Sequence, residues 1–296
     1  MPRVCEAFYH RGMWKANVLV SLFIGVSVFA ADPWQSVDAI LGQQGKAVSA
    51  DVHRYAWPRR DLEVRIGKVR IEPALALGSW AAFSAGMVMG DLVLRPSEVE
   101  GVVRGLQKGG FEIAAIHNHL LGESPMIAYV HYAGHGDAAA LARTLHDALA
   151  ATATPMTAKA PATPTKEDDA VFAVVSDVLQ RKGTMAGRVL QFGIPRAEPI
   201  TDGGMTIPPS MGVATAVNFQ RVGSDVATTG DFVLIADEVN PVIRELESHG
   251  IRVTAVHSHM LRESPRLFFV HFWGVGAPGA IGEGIRAALT HVNVAK

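Results

Sequence analysis

An α+β fold built twice is what this sequence predicts, on three observations. Motifs recur at a period of about 140 residues. β-rich segments cluster in the middle of each copy, and helical stretches flank them rather than alternating with single strands. A period that long marks a duplicated module, not a solenoid repeat. The 296 residues suffice for two domains of about 100–150 residues, each with its own core.

The elements follow in order. Arg3, Arg11 and Lys15 precede an apolar run from Val18 to Ala30, and Val28-Phe29-Ala30 ends it with small residues at the positions a signal peptidase reads. Residues 1–30 therefore read as a secretory signal peptide, and the protein as periplasmic or secreted. The run falls short of the roughly 20 apolar residues that span a bilayer, so no stable membrane span is expected after cleavage. Cys5, the one cysteine, would leave with the signal, which excludes disulfides and thiolate metal sites in the mature chain.

Residues 33–150 form the first expected module and 168–296 the second. Each opens on a short helix (Val37–Gln44; Ala170–Arg181) and runs into a strand that ends at Pro58-Arg59 or Pro195-Arg196. Further β-rich segments follow, closing with Met87–Leu94 and Asp231–Ile235. A helix is then expected from Ser97 or Asp237, either of which can cap it, to a left-handed terminus at Gly109 or Gly250. Two strands come next, Phe111–His119 with Met126–Ala133 and Ile251–His259 with Arg266–Trp273. A final amphipathic helix (Asp137–Leu149; Gly279–Thr290) ends each copy. Between the modules, residues 151–167 are mostly Ala, Thr and Pro, a linker composition.

Hydrophobic residues make up 49% and charged residues 19% of the chain, at a net charge of −1. That composition is globular, and it offers no basic face for nucleic acid. A small-molecule ligand is the expected partner class; the pattern specifies no oligomeric state.

The chemical signal is His117-Asn118-His119-Leu120-Leu121-Gly122-Glu123-Ser124-Pro125 with His131, written again as His257-Ser258-His259-Met260-Leu261-Arg262-Glu263-Ser264-Pro265 with His271. Strand alternation places Phe111, Ile113, Ala115, His117 and His119 on one apolar face, with their counterparts Ile251 to His259. A hairpin pairing with an even residue sum sets His131 nearly opposite His117, and His271 opposite His257. Each copy then offers three imidazoles and a nearby carboxylate, so His117, His119, His131, His257, His259 and His271 are the candidate metal ligands. Zn²⁺ is the first choice for such donors, with Fe²⁺, Cu²⁺, Ni²⁺ and Mn²⁺ also compatible. Glu123 and Glu263 are candidate general bases or ligand orienters. The competing expectation is a neutral hydrogen-bond network in a non-enzymatic envelope module that binds a ligand or protein. The duplication allows two separate sites or one site shared across a pseudo-twofold interface, and each copy retaining all three histidines slightly favours two equivalent roles. Gly90-Asp91 and Gly230-Asp231 read first as turns, with the aspartates as ligands the second reading. Arg59 and Arg196 read first as surface ion pairs, with anion binding second. The aromatic row Phe268, Phe269, Phe272 and Trp273 reads first as core, with a hydrophobic pocket second.

With these residues in view, the chain resembles the LppY/LpqO family of exported bacterial proteins. The likeness rests on Pro58-Arg59-Arg60-Asp61-Leu62, Gly78-Ser79-Trp80-Ala81-Ala82-Phe83 and the His-x-His-Leu-Leu-Gly-Glu-Ser-Pro stretch. In the second half it rests on Gly230 to Leu234, Glu238 to Ile243 and Thr254 to Trp273. The resemblance implies an envelope location and a domain of unknown function. This chain departs from the family's lipoproteins in lacking a lipid-accepting cysteine. The His-x-His-x-x-x-Glu spacing is also similar to the cupin metal motif, but its third histidine follows only twelve residues after the second and the second cupin motif is absent.

Overall fold

Each half of the chain builds a six-stranded antiparallel sheet with three helices on one face. The computed structural model describes Met1 and residues 33–295 except Ala85, Ala158 and Lys159; the expected signal peptide lies outside these residues. The first module runs α1 (Pro33–Leu41), β1 (Lys46–Ser49), β2 (Val52–Pro58), β3 (Gly78–Ser84), β4 (Met87–Leu94), α2 (Pro96–Lys108), β5 (Glu112–His117), β6 (Ala128–His135) and α3 (Ala138–Ala150). The second repeats it as α4 (Lys166–Leu179), β7 (Thr184–Ala186), β8 (Val189–Pro195), β9 (Ala214–Val222), β10 (Asp225–Leu234), α5 (Ala236–Ser248), β11 (Arg252–His257), β12 (Phe268–Gly276) and α6 (Pro278–Leu289). The sheet orders match: β1-β2-β3-β4-β6-β5 and β7-β8-β9-β10-β12-β11. The α+β class expected from the sequence is the class found.

Every residue of β4 is buried, and all but the first of β10, because both faces of each sheet are covered. One face packs on the module's own helices: Val88, Leu92, Val130 and Tyr132 meet Val102, Leu106, Leu141 and Leu145. In the second module Val226, Phe232, Val270 and Phe272 meet Val242, Leu246, Ile281 and Ile285. The other faces pack on each other, Met87, Met89 and Ala133 against Val213, Val233, Met260 and Phe269. The result is four layers, helix–sheet–sheet–helix, with apolar burial driving both kinds of contact.

Polar clasps hold the layers in register. Gln220 accepts from Glu72 N at 2.8 Å and donates to Arg70 O at 2.6 Å. Asn218 Nδ2 donates to Leu75 O at 3.0 Å, and Arg262 makes a two-pronged pair with Glu112 at 2.7 Å.

Several expectations are corrected. Helices α2 and α5 begin ahead of Ser97 and Asp237, and Glu98 and Glu238 close their first turns by accepting the N–H of Arg95 at 2.8 Å and of Ile235 at 3.0 Å. The left-handed residue after α2 is Gly110, not Gly109, matching Gly250. Residues 166 and 167, assigned to the linker, already lie in α4, which starts from the cap Thr165.

Arg59 and Arg196 are buried, not on the surface. Arg59 Nη1 reaches Val93 O at 2.7 Å and Glu98 at 2.8 Å, and its Nε reaches Asp61 at 2.9 Å. Arg196 repeats this with Val233 O at 2.7 Å, Glu238 at 2.5 Å and Glu198 at 3.0 Å. Burial would raise the Glu98 and Glu238 carboxyls, but the paired arginines and backbone N–H groups hold both below their ordinary value. Each arginine thus pins the end of β2 or β8 to a helix N-terminus. Replacing Arg196 with Met strands Glu238 without its counter-charge, which should cost about 3–5 kcal/mol in urea unfolding; the double change Arg196→Met/Glu238→Gln should recover part of that loss.

Candidate metal centre

The six histidines meet in the layer between the two sheets. His117 and His131 sit on the sheet–sheet face of β5 and β6, and His257 and His271 on that of β11 and β12. His119 and His259 lie just past the ends of β5 and β11. Ring centroids are 3.8 Å apart for His117 and His257, 3.7 Å for His119 and His271, and 3.8 Å for His131 and His259. The last two contacts are the same contact with the modules exchanged, so the cluster has pseudo-twofold symmetry. Of the two arrangements the duplication allows, the histidines form the shared one, a single cluster.

A β-bulge in each copy produces this arrangement. The pairing of β5 with β6 shifts between Ile113 and Ala115, and that of β11 with β12 between Val253 and Ala255. An extra residue reverses the faces that follow it. Ile113 therefore packs with the helices, while Ala115 pairs with His131, so the histidines do not continue the Phe111–Ile113 row as simple alternation requires. The residue sum is even, as expected, but shifted by two: Tyr129 lies opposite His117 and Phe269 opposite His257. These two rings carry His119 and His259, stacked on them at 3.4 and 3.5 Å. In the second module the bulged residue, Thr254, donates to His119 O at 2.6 Å and so braces the opposite copy's loop.

The carboxylates beside the imidazoles are Asp91 and Asp231, which the sequence had assigned to turns. They occupy mid-strand positions directly opposite His131 and His271. Asp91 lies 3.6 Å from His119 Nε2, and Asp231 lies 3.0 Å from His259 Nε2 without the alignment of a hydrogen bond. The preceding glycines serve close packing: a Cβ at Gly90 or Gly230 would collide with the carbonyl of Trp80 or Ala216 on the adjacent strand. The recurrence of Gly-Asp at matched positions in both copies was the signal that could have exposed this pair. Glu123 and Glu263 instead face their own hairpins, with Glu263 accepting Leu267 N at 2.9 Å and pairing with Arg266 at 3.3 Å. Glu123 accepts Ile127 N at 3.4 Å.

Two overlapping groups in this cluster could hold a metal ion: His117, His119, His131 and His271, and His131, His257, His259 and His271. Within each, one ligand atom per residue lies within 4.8 Å of all the others. Among the described residues, buried Nε2 atoms of His117, His119, His259 and His271, both Nδ1 atoms of His117 and His257, and Oδ1 of both aspartates have no hydrogen-bond partner. An unsatisfied buried polar atom costs about 1–3 kcal/mol, so this concentration fits a site made to hold an ion. His271 Nδ1 donates to Gly230 O at 2.7 Å and His259 Nδ1 to Gly212 O at 3.4 Å, leaving each Nε2 lone pair for a ligand bond.

The electrostatics suit neutral imidazoles. Burial, and then the neighbouring imidazoles, hold His117 down to about 3 and push His119, His131 and His257 far below their usual value. Burial also lowers His271. Burial and then Asp231 push the Asp91 carboxyl well up; Asp231 is equally buried, yet His271 and His259 hold it down.

Because the folded state refuses protons that these histidines accept near 6.5 when unfolded, their contribution is intact above pH 6.5 and is lost as pH falls toward 3. Metal-stripped protein should therefore lose more unfolding free energy between pH 7 and 5 than a His117→Gln/His257→Gln variant, by about 2–4 kcal/mol at roughly 1.4 kcal/mol per pH unit and histidine, read from urea titrations at the two pH values.

A family model described as Domain of Unknown Function (DUF1259) matches the chain twice, over residues 35–151 and 173–291. No curated protein and no solved structure matches it.

Proposed function

The chain belongs to the Domain of Unknown Function (DUF1259) family, and from that premise we propose that it is an exported envelope protein that binds one divalent transition-metal ion between its two domains. The observation that carries this reading is the convergence of histidines from both copies with most of their ligand nitrogens unpaired, the exception being the 3.2 Å contact between His257 Nε2 and His131 Nε2. A neutral hydrogen-bond network would have used those nitrogens instead.

One ion, rather than one per module, follows from the overlap of the two groups. His131 and His271 belong to both, and His271 has only Nε2 left to offer because its Nδ1 is committed to Gly230 O. Neutral imidazoles favour Zn²⁺ first, with Fe²⁺, Cu²⁺, Ni²⁺ and Mn²⁺ as competitors. Asp91 and Asp231 are the carboxylates placed to orient ligands and balance the ion's charge; Glu123 and Glu263 would act through the loops they fasten. Such an ion supplies Lewis acidity or an activated water to a small substrate. His117, His119 and His257, the partly exposed members of the cluster, form the side from which a small ligand would approach.

Export is supported by the charged-then-apolar N-terminal segment and by the resemblance to the LppY/LpqO family. Among the described residues no helix is long and apolar enough to cross a membrane.

The test is metal content by mass spectrometry on untagged protein taken from the envelope fraction. Wild type should carry close to one ion per chain, and His131→Ala or His271→Ala should each remove it. Two ions per chain, or none after reconstitution, would contradict the proposal.

A further inference from the structure

Among the matched positions at which the two copies differ is one pair of cross-module contacts. Arg54 in β2 stands four residues before Pro58, as Gln191 in β8 stands four residues before Pro195. Both reach across to the opposite module. Gln191 Nε2 donates to Ala74 O at 2.8 Å, and Arg54 Nη1 to Ser210 O at 3.4 Å. The glutamine amide is well used by its bond. The guanidinium is not: it carries five N–H donors, and among the described residues this long contact is its only hydrogen bond.

Nor does any carboxylate form an ion pair with Arg54 among the described residues. Its Cζ lies 4.1 Å over the Trp80 ring, and burial lowers its pKa to about 10 against the opposing pull of Tyr132 and Asp91. Beside it, the buried Ser210 Oγ has no hydrogen-bond partner. A largely buried cation and an unused hydroxyl side by side are costly unless something satisfies them. The counterparts Gln191 and Ala74 offer neither charge nor hydroxyl, so duplication alone does not account for the pair. Trp80 lies directly opposite Asp91 and Asp91 opposite His131, which puts this notch on the face that carries the histidines.

We propose that Arg54, Ser210 and the face of Trp80 form a binding subsite for a small oxyanion, either a carboxylate or a phosphate group. The planar fork of the guanidinium matches two oxygens of such a group, the serine hydroxyl supplies a further donor, and the indole ring holds the fork flat. Arg54, Trp80 and Ser210 are each partly exposed, which leaves the notch open to a ligand. The first copy has thereby acquired a recognition element that the second lacks.

Calorimetric titration of the full, metal-stripped protein with inorganic phosphate, and separately with acetate, tests this independently of any bound ion. Saturable binding of one anion per chain is expected, and the stronger of the two titrations identifies the oxyanion. Arg54→Gln, which installs the residue of the second copy, should weaken binding at least tenfold, and Ser210→Ala several-fold. The proposal is overturned if neither anion binds wild type, or if folded Arg54→Gln binds as wild type does. Should Arg54→Gln fail to fold, Ser210→Ala decides: unchanged binding by that variant overturns the proposal.

Discussion

The packing of one sheet directly on the other is the constraint from which the rest of the structure follows. Two antiparallel sheets, each already covered by helices, bury their second faces against each other, and most of that contact is apolar: Met89, Val233, Met260 and Phe269. Inside this apolar layer sit six imidazoles and two carboxylates. Polar groups withdrawn from water must find partners, and here many find none within the protein. The proposed ion would resolve that deficit, and the pseudo-twofold relation of the copies makes the histidines one cluster to which both contribute.

The surrounding construction keeps that site rigid. Arg59 and Arg196 lock strand ends to helix N-termini from within the fold, so the strands bearing the aspartates have little freedom to slide. Gly90 and Gly230 let neighbouring strands close in immediately before those aspartates. Tyr129 and Phe269 act as flat supports for the two histidines that lie beyond the strand ends. The two copies share the order of their six-stranded sheets, while Arg54 in one stands where the other has Gln191.

Much of this was legible in the sequence because duplication repeats a signal. The six histidines, the helix and strand order and the α+β class all follow from paired motifs. Less legible were features that depend on what lies across a sheet. A bulge at Ala114 or Thr254 leaves no mark in a single strand, so the histidines seemed to extend the Phe111 row when they face the other way. Gly-Asp suggests a turn locally, and only the pairing of Asp91 with His131 shows it to be mid-strand. Arg59 looked exposed because its partners, Glu98 and Val93 O, are distant in the chain. The meeting of the two modules could not be read from either one alone, which is why two sites and one shared site both stayed open until the sheets were seen to pack.

The most direct test of a single interdomain centre is anomalous diffraction from crystals of the metal-loaded protein, collected at the absorption edge of the bound metal. One peak should appear in the sheet–sheet layer, with imidazole nitrogens from both modules about 2.0–2.1 Å away if the ion is zinc. Two peaks, each ligated by the histidines of one module alone, would contradict the account.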